Sequence, residues 1–236
     1  MQGLYLVTPN WDHTQRLLTV TEQALQAAQG CQPGIAMLQY RHKHASPALR
    51  LEQASALRQL SRQYGVPFIV NDFVELAVQV GADGVHLGAS DAALAAVRAQ
   101  LGPDAIIGAS CYGELTLALA AQAAGASYVA FGGFYPSRVK QYAVTTAPAI
   151  LDQARQQIHL PQVVIGGMTP ALAAPLVARG AHMVAAISSV YLAADLAAGP
   201  VADDAAPDAT QLAAGAAAVQ QAVGEFLQLF RPAPVV

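Results

Sequence analysis

The sequence predicts an α/β fold, a single (β/α)8 TIM barrel, on three observations. The chain has 236 residues, close to the roughly 250 typical of such a barrel. Eight short apolar or β-branched runs alternate with longer helical patterns, the order that builds a parallel sheet wrapped by helices. Polar residues recur just after many of these runs, and a ring of chemistry at strand ends is the barrel pattern. Length alone would also allow two small domains. A doubly wound open sheet uses the same alternation, but no Gly-rich dinucleotide fingerprint follows the first run, which weighs against it.

The elements follow in order. Met1-Gln2-Gly3-Leu4-Tyr5-Leu6 lacks a basic segment followed by a long apolar one, so Gly3–Thr8 reads as a first strand and not a signal peptide. The second strand is Ile35–Arg41. The segment Pro47–Tyr64 sets Leu49, Gln53, Leu57, Leu60 and Tyr64 on one stripe, as a helix lying on a core requires. Ser46-Pro47 supplies its cap and first residue, and Gly65-Val66-Pro67 stops it. The third strand, Pro67–Asp72, contains Phe68-Ile69-Val70, and the seventh, Gln162–Gly167, contains Val163-Val164-Ile165. Successive apolar positions mark parallel strands covered on both faces. Gly84–Leu87, Ala105–Ser110, Tyr128–Phe134 and Met183–Ser188 complete the set. A helix is expected over Ala92–Gln100, and Thr169-Pro170 opens another. The motifs Gly81-Ala82-Asp83-Gly84, Gly125-Ala126-Ser127-Tyr128 and Gly180-Ala181-His182-Met183 each read as helix end, tight turn and buried strand, a weak internal repeat. Beyond Ser188, Ala198–Thr210 reads as an exposed loop, Gln211–Phe230 as a helix and Pro232–Val236 as a frayed tail. Residues 1–236 are expected to form one domain.

Composition limits the function classes. The chain is 54% hydrophobic and 11% charged, with 12 basic and 15 acidic residues. No Lys/Arg cluster suggests nucleic acid, and no apolar run reaches the roughly 18 residues that span a membrane. Two cysteines, Cys31 and Cys111, form neither a disulfide framework nor a zinc motif; both read as free thiols, with Cys111 buried. A cytoplasmic location with small-molecule partners is expected, and a homo-oligomer stays open.

The strand ends carry the chemistry. The second strand ends in Gln39-Tyr40-Arg41-His42-Lys43, and alternation puts Gln39, Arg41 and Lys43 on one side. Two cations and an amide suit an anion such as a diphosphate; the alternative is a solvated strand end. Asn71-Asp72 ends the third strand and Asp91 follows the fourth. Two carboxylates with phosphate oxygens suit magnesium, whereas each Asp alone suits a helix cap. His86 reads as a packed barrel histidine. Ser110 ends the fifth strand, as a ligand contact or a cap. Tyr135-Pro136-Ser137-Arg138-Val139-Lys140 follows the sixth, offering an oxyanion site or a polar lid. Gly166-Gly167 and Ile187-Ser188 end the seventh and eighth, where barrels often cradle a phosphate.

At these residues the chain resembles the thiamine phosphate synthase family, from about Gly3 to Ser188. The matching segments are Leu38-Gln39-Tyr40-Arg41-His42-Lys43, Phe68-Ile69-Val70-Asn71-Asp72, Gly84-Val85-His86-Leu87-Gly88 with Asp91, Tyr135 to Lys140, Ile165-Gly166-Gly167-Met168-Thr169 and Ala186-Ile187-Ser188. The resemblance implies a transferase that joins an aminopyrimidine diphosphate to a thiazole phosphate, giving thiamine phosphate and pyrophosphate by a magnesium-assisted dissociative displacement. It implies that Gln39, Tyr40, Arg41, His42, Lys43, Asn71 and Ser110 hold the pyrimidine diphosphate. It assigns Mg2+ to Asp72 and Asp91. It assigns the thiazole phosphate to Ser137, Arg138, Val139, Gly167, Ile187 and Ser188, and the departing pyrophosphate to Lys140. Catalysis would fall to Lys140, Arg41, Lys43 and Ser110. Ala89 and Val139 stand where the family usually carries Gln and Thr, and the segment after Ser188 is longer than the family pattern. The rivals are a thiazole tautomerase, whose relatives carry a His shortly after strand five where this chain has Ser110-Cys111-Tyr112, and a non-catalytic barrel that binds thiazole or thiamine phosphates.

Overall fold

A computed structural model describes residues 1–88, 94–136, 145–198 and 209–231. Eight strands form a closed barrel in sequence order: β1 (Gly3–Val7), β2 (Ile35–Tyr40), β3 (Phe68–Asn71), β4 (Gly84–Leu87), β5 (Ile106–Tyr112), β6 (Tyr128–Gly132), β7 (Gln162–Ile165) and β8 (Met183–Ala186). Every neighbouring pair is parallel, and β1 closes on β8. The helices among the described residues are α1 (Thr14–Ala27), α2 (Pro47–Gln63), α3 (Val74–Val80), α4 (Leu94–Leu101), α5 (Leu115–Ala123), α6 (Ala149–Gln157), α7 (Pro170–Ala178), α8 (Ser188–Ala198) and α9 (Ala209–Gln228). None is long and apolar enough to cross a membrane among the described residues. The expected loop falls largely on residues 199–208, outside the described residues.

Local chemistry sets the helix ends. Ser46 Oγ accepts the Leu49 N–H at 3.2 Å ahead of Pro47, and Thr169 Oγ1 accepts the Leu172 N–H at 3.3 Å ahead of Pro170. In α2 the expected stripe faces inward, with Gln53, Leu57 and Leu60 buried. Strands β1, β2, β3, β6, β7 and β8 stop one or more residues short of the sequence reading, so Thr8, Arg41, Asp72, Gly133, Gly166 and Ile187 lie just past their strand ends. Strand β5 instead runs on to Tyr112, with a register irregularity between Ser110 and Tyr112.

Two cores result. The larger lies between strands and helices and takes the outward residues, including Leu4, Leu6, Tyr40, Phe68, Val70 and Cys111. The smaller fills the barrel itself, with Tyr5, Val7, Met37, Ile69, Tyr128, Ala130, Val163, Met183 and Ala185. Tyr128 fits there because residue 108 is glycine: a Cβ on Gly108 would stand 2.0 Å from the Tyr128 ring. The barrel is therefore a packed plug below and a cavity above, as the layered interior of this architecture requires.

Candidate active site

A cavity opens at the C-terminal mouth, and every strand contributes to its wall. The wall has two halves. Gln39, Arg41, Asn71, His86 and Ser110, from or just past β2 to β5, make one side polar. Ala130, Gly132, Val163, Ile165, Ala185 and Ile187, from or just past β6 to β8, make the other side small and apolar.

On the polar side, Arg41 is 8% exposed, and its backbone is fixed by β1: Thr8 Oγ1 accepts the Arg41 N–H at 2.8 Å. Lys43 Nζ lies 3.1 Å from Asp72 Oδ2, and Asn71 Nδ2 donates to the same oxygen at 2.5 Å. Asp72 has φ 64°, one of two described non-glycine residues in the left-handed region. The Phe73 N–H closes on the Asn71 carbonyl at 2.8 Å across it, a three-residue turn that is rare and strained. Asp72 does not cap α3: Phe73 holds the cap position and makes no side-chain cap bond. The turn instead brings the carboxylate against Lys43 and against Asn71, which lines the cavity.

Tyr40 and His42 lie away from this cluster. Tyr40 O–H donates to Gln53 Oε1 at 3.0 Å on α2. His42 Nδ1 accepts the Ala45 N–H, so its Nε2 donates to Asp12 Oδ1; both contacts are 3.0 Å. Alternation along β2 explains both, since the residues between Gln39, Arg41 and Lys43 must point outward.

Tyr5 and Tyr128, absent from the sequence-derived set, form the floor. Gln39 Nε2 donates to the Tyr5 hydroxyl at 2.6 Å, and the Tyr5 and Tyr128 hydroxyls meet at 2.6 Å. The Tyr128 hydroxyl lies 2.9 Å from His86 Nδ1, and His86 Nε2 lies 2.9 Å from Ser110 Oγ. The His86 and Tyr128 rings stack at 5.6 Å. Burial pushes both phenols well above the ordinary tyrosine range. His86 is thus packed, as expected, and also part of the cavity wall. The sequence signal for these residues was a tyrosine in the inward phase of an otherwise small apolar strand. Tyr112, another residue missed, stands at the rim with φ 49° and 42% exposure.

On the other side, Ser188 opens α8 directly after β8 and Ile187 lines the cavity. Gly167 has φ 62°, and a Cβ there would meet the Pro136 carbonyl oxygen at 2.3 Å. Its missing side chain therefore makes room for the Pro136 carbonyl that follows β6. Asp91, Ser137, Arg138, Val139 and Lys140 lie outside the described residues. Cys111 points into the outer core, where burial raises its thiol to about 12, far from a reactive thiolate.

A closed parallel barrel with cations, a strained carboxylate and a helix N-terminus around its mouth defines a barrel enzyme of phosphorylated small molecules. The chain belongs to the thiamine monophosphate synthase family, whose model matches residues 4–190. It is 60% identical over 195 residues to a thiamine-phosphate synthase of Janthinobacterium sp. (strain Marseille), covering 83% of this chain and 91% of that protein. It is 50% identical over 194 residues to a thiamine-phosphate synthase of Xanthomonas campestris pv. campestris (strain 8004), covering 82% and 90%. A solved thiamine phosphate pyrophosphorylase from Pyrococcus furiosus superposes with a TM-score of 0.73 at 28% identity, covering 97% of this chain and 95% of that one.

Proposed function

We propose that this protein joins an aminopyrimidine diphosphate to a thiazole phosphate, releasing pyrophosphate and forming thiamine phosphate. The observation that carries the reading is the division of the mouth into a polar half with Gln39, Arg41 and Asn71 and an apolar half ending at Ile187, next to the N-terminus of α8. One half suits a diphosphate and a polar ring. The other suits an apolar ring tethered to a phosphate.

In this reading Arg41 and Lys43 meet the diphosphate with fixed positive charge. Asn71 orients Asp72 through the bond to its carboxylate. The Asp72 carboxylate, held by Asn71 next to the cavity wall, fits a hard divalent ion that also takes phosphate oxygens. Asp72 and Asp91 would hold Mg2+, which supplies neutralisation of the charge growing on the leaving group. Lys140 adds a cation to the departing pyrophosphate. The bond from the pyrimidine's exocyclic carbon to the diphosphate oxygen breaks first, and that carbon then bonds to the thiazole nitrogen. Gly167, Ser188 and the loop of Ser137, Arg138 and Val139 anchor the thiazole phosphate, so that binding supplies orientation. No covalent nucleophile is required. A tautomerase would need a free acid/base group, and both ring nitrogens of His86 are already within hydrogen-bond distance of hydroxyls.

The test is turnover with both substrates and magnesium. Thiamine phosphate and pyrophosphate should form in equal amounts, stop with a chelator, and fall at least about 100-fold in Asp72→Ala. Turnover of Asp72→Ala at the native rate would remove the metal assignment. No product from the native protein would remove the synthase reading.

A further inference from the structure

The floor of the site is a hydrogen-bonded chain from five strands: Gln39 on β2, Tyr5 on β1, Tyr128 on β6, His86 on β4 and Ser110 on β5. Its proton order is constrained. The Tyr5 oxygen accepts from Gln39, and its other polar partner among the described residues is Tyr128, so the Tyr5 proton goes to Tyr128. The Tyr128 oxygen is then an acceptor, and its own proton goes to His86 Nδ1. A hydroxyl has one proton, so each link fixes the next. His86 must carry its proton on Nε2 and donate it to Ser110 Oγ. The Ser110 proton is left for a ligand, and the Gln39 amide oxygen is left as an acceptor; both residues line the cavity.

We propose that Tyr128, with Tyr5, is a positioning residue that holds His86 in its Nε2–H tautomer and so makes Ser110 a donor and Gln39 an acceptor to the ligand. The two ends are coupled. Turning the Gln39 amide would reverse every link and exchange the roles, so the site always offers one acceptor and one donor. A ring edge with an amino donor and a nitrogen acceptor satisfies both ends. An edge with two donors or two acceptors leaves one end unpaired, at the cost of an unmet buried hydrogen bond. This recognition rests on the pyrimidine reading above, whereas the tautomer does not.

The experiment labels the histidines with heavy nitrogen and reads the two ring nitrogens of His86 by NMR, in the native chain and in Tyr128→Phe. The native ring should carry its proton on Nε2 and none on Nδ1. In Tyr128→Phe the Nδ1 donor is gone, and the ring should shift to a mixture of tautomers. In the turnover assay that variant should raise KM for the pyrimidine diphosphate about five- to tenfold, with KM for the thiazole phosphate unchanged. A native His86 protonated on Nδ1, or an identical tautomer in both proteins, overturns the proposal. A changed tautomer with an unchanged pyrimidine KM overturns its link to the substrate. Should Tyr128→Phe fail to fold, Tyr5→Phe removes only the hydroxyl that Tyr128 accepts from; Tyr128 still donates to His86 Nδ1, so the Nε2–H tautomer should persist, and its loss would overturn the proposal. Because the NMR arm needs no substrate, it decides the tautomer even if the synthase reading fails.

Discussion

At the scale of single residues, Asp72 is where the backbone departs furthest from comfort, with φ 64° on a non-glycine residue. A non-glycine residue in the left-handed region carries a cost of about 1 kcal/mol or more, and such outliers persist where the surroundings hold them. Here the Phe73 N–H to Asn71 carbonyl bond, the Asn71 amide and Lys43 do so. Strain of this kind separates two substitutions. Asp72→Gly relieves the steric clash and Asp72→Ala keeps it, while both remove the carboxylate. We expect both to lose turnover, with the Gly variant the more stable by about 1 kcal/mol in urea unfolding. The opposite order would mean that no strain is stored there. Gln39, Arg41 and Asn71 were legible in the sequence because period-two alternation and strand ends locate them. Tyr5 and Tyr128 were not, because their role depends on β1 and β6 facing each other across the barrel, a relation between residues 123 positions apart.

At the scale of elements, the Gly-Ala-x recurrence has a mechanical meaning that the sequence only hinted at. In each copy the glycine N–H bonds back into the helix and the alanine N–H reaches five residues back: Ala82 to Ala77, Ala126 to Ala121, Ala181 to Leu176. This closes the helix with its orphan carbonyls satisfied. The third residue then turns its side chain to the preceding strand. Asp83 Oδ2 accepts the Phe68 N–H at 2.7 Å, Ser127 Oγ the Ile107 N–H at 3.0 Å, and His182 Nδ1 the Gln162 N–H at 3.2 Å. Three chemically different residues thus do one job at the base of β3, β5 and β7, which is why spacing revealed the repeat and residue identity did not. Asp83 has a second task, receiving both terminal nitrogens of Arg58 at 2.6 and 2.8 Å. Removing it leaves a largely buried guanidinium and a strand N–H without partners. Asp83→Ala should therefore cost about 2–3 kcal/mol in denaturant unfolding, against about 1 kcal/mol for Ser127→Ala, hydrogen bonds to charged groups being the stronger. Equal losses would mean that Arg58 contributes nothing through the pair.

At the scale of the whole molecule, α9 completes the wall that the family segment leaves open. The family match ends at residue 190, yet Val219, Val223, Phe226 and Leu227 are fully or almost fully buried, and α9 packs on α1, α8 and β1. The helix was legible from its apolar pattern; its place against β1 was not, because closure of the barrel brings the last helix to the first strand. Closure also sets how the molecule responds to alkali. Tyr5 and Tyr128 are sealed inside the barrel, Tyr40 and Tyr191 between barrel and helices. Burial, the largest cause in each case, raises all four phenols above the ordinary tyrosine value of about 10. A group whose folded pKa is raised keeps its proton while the unfolded chain loses it. Its contribution to stability is therefore complete below about pH 10 and declines as pH rises above that point. Denaturant midpoints should be flat up to about pH 9 and fall by about pH 11, and tyrosinate absorbance should report the buried phenols only as the chain unfolds. A single ionisation of all eight tyrosines near pH 10, with stability unchanged, would mean that water reaches the barrel interior and that the floor of the active site is not dry.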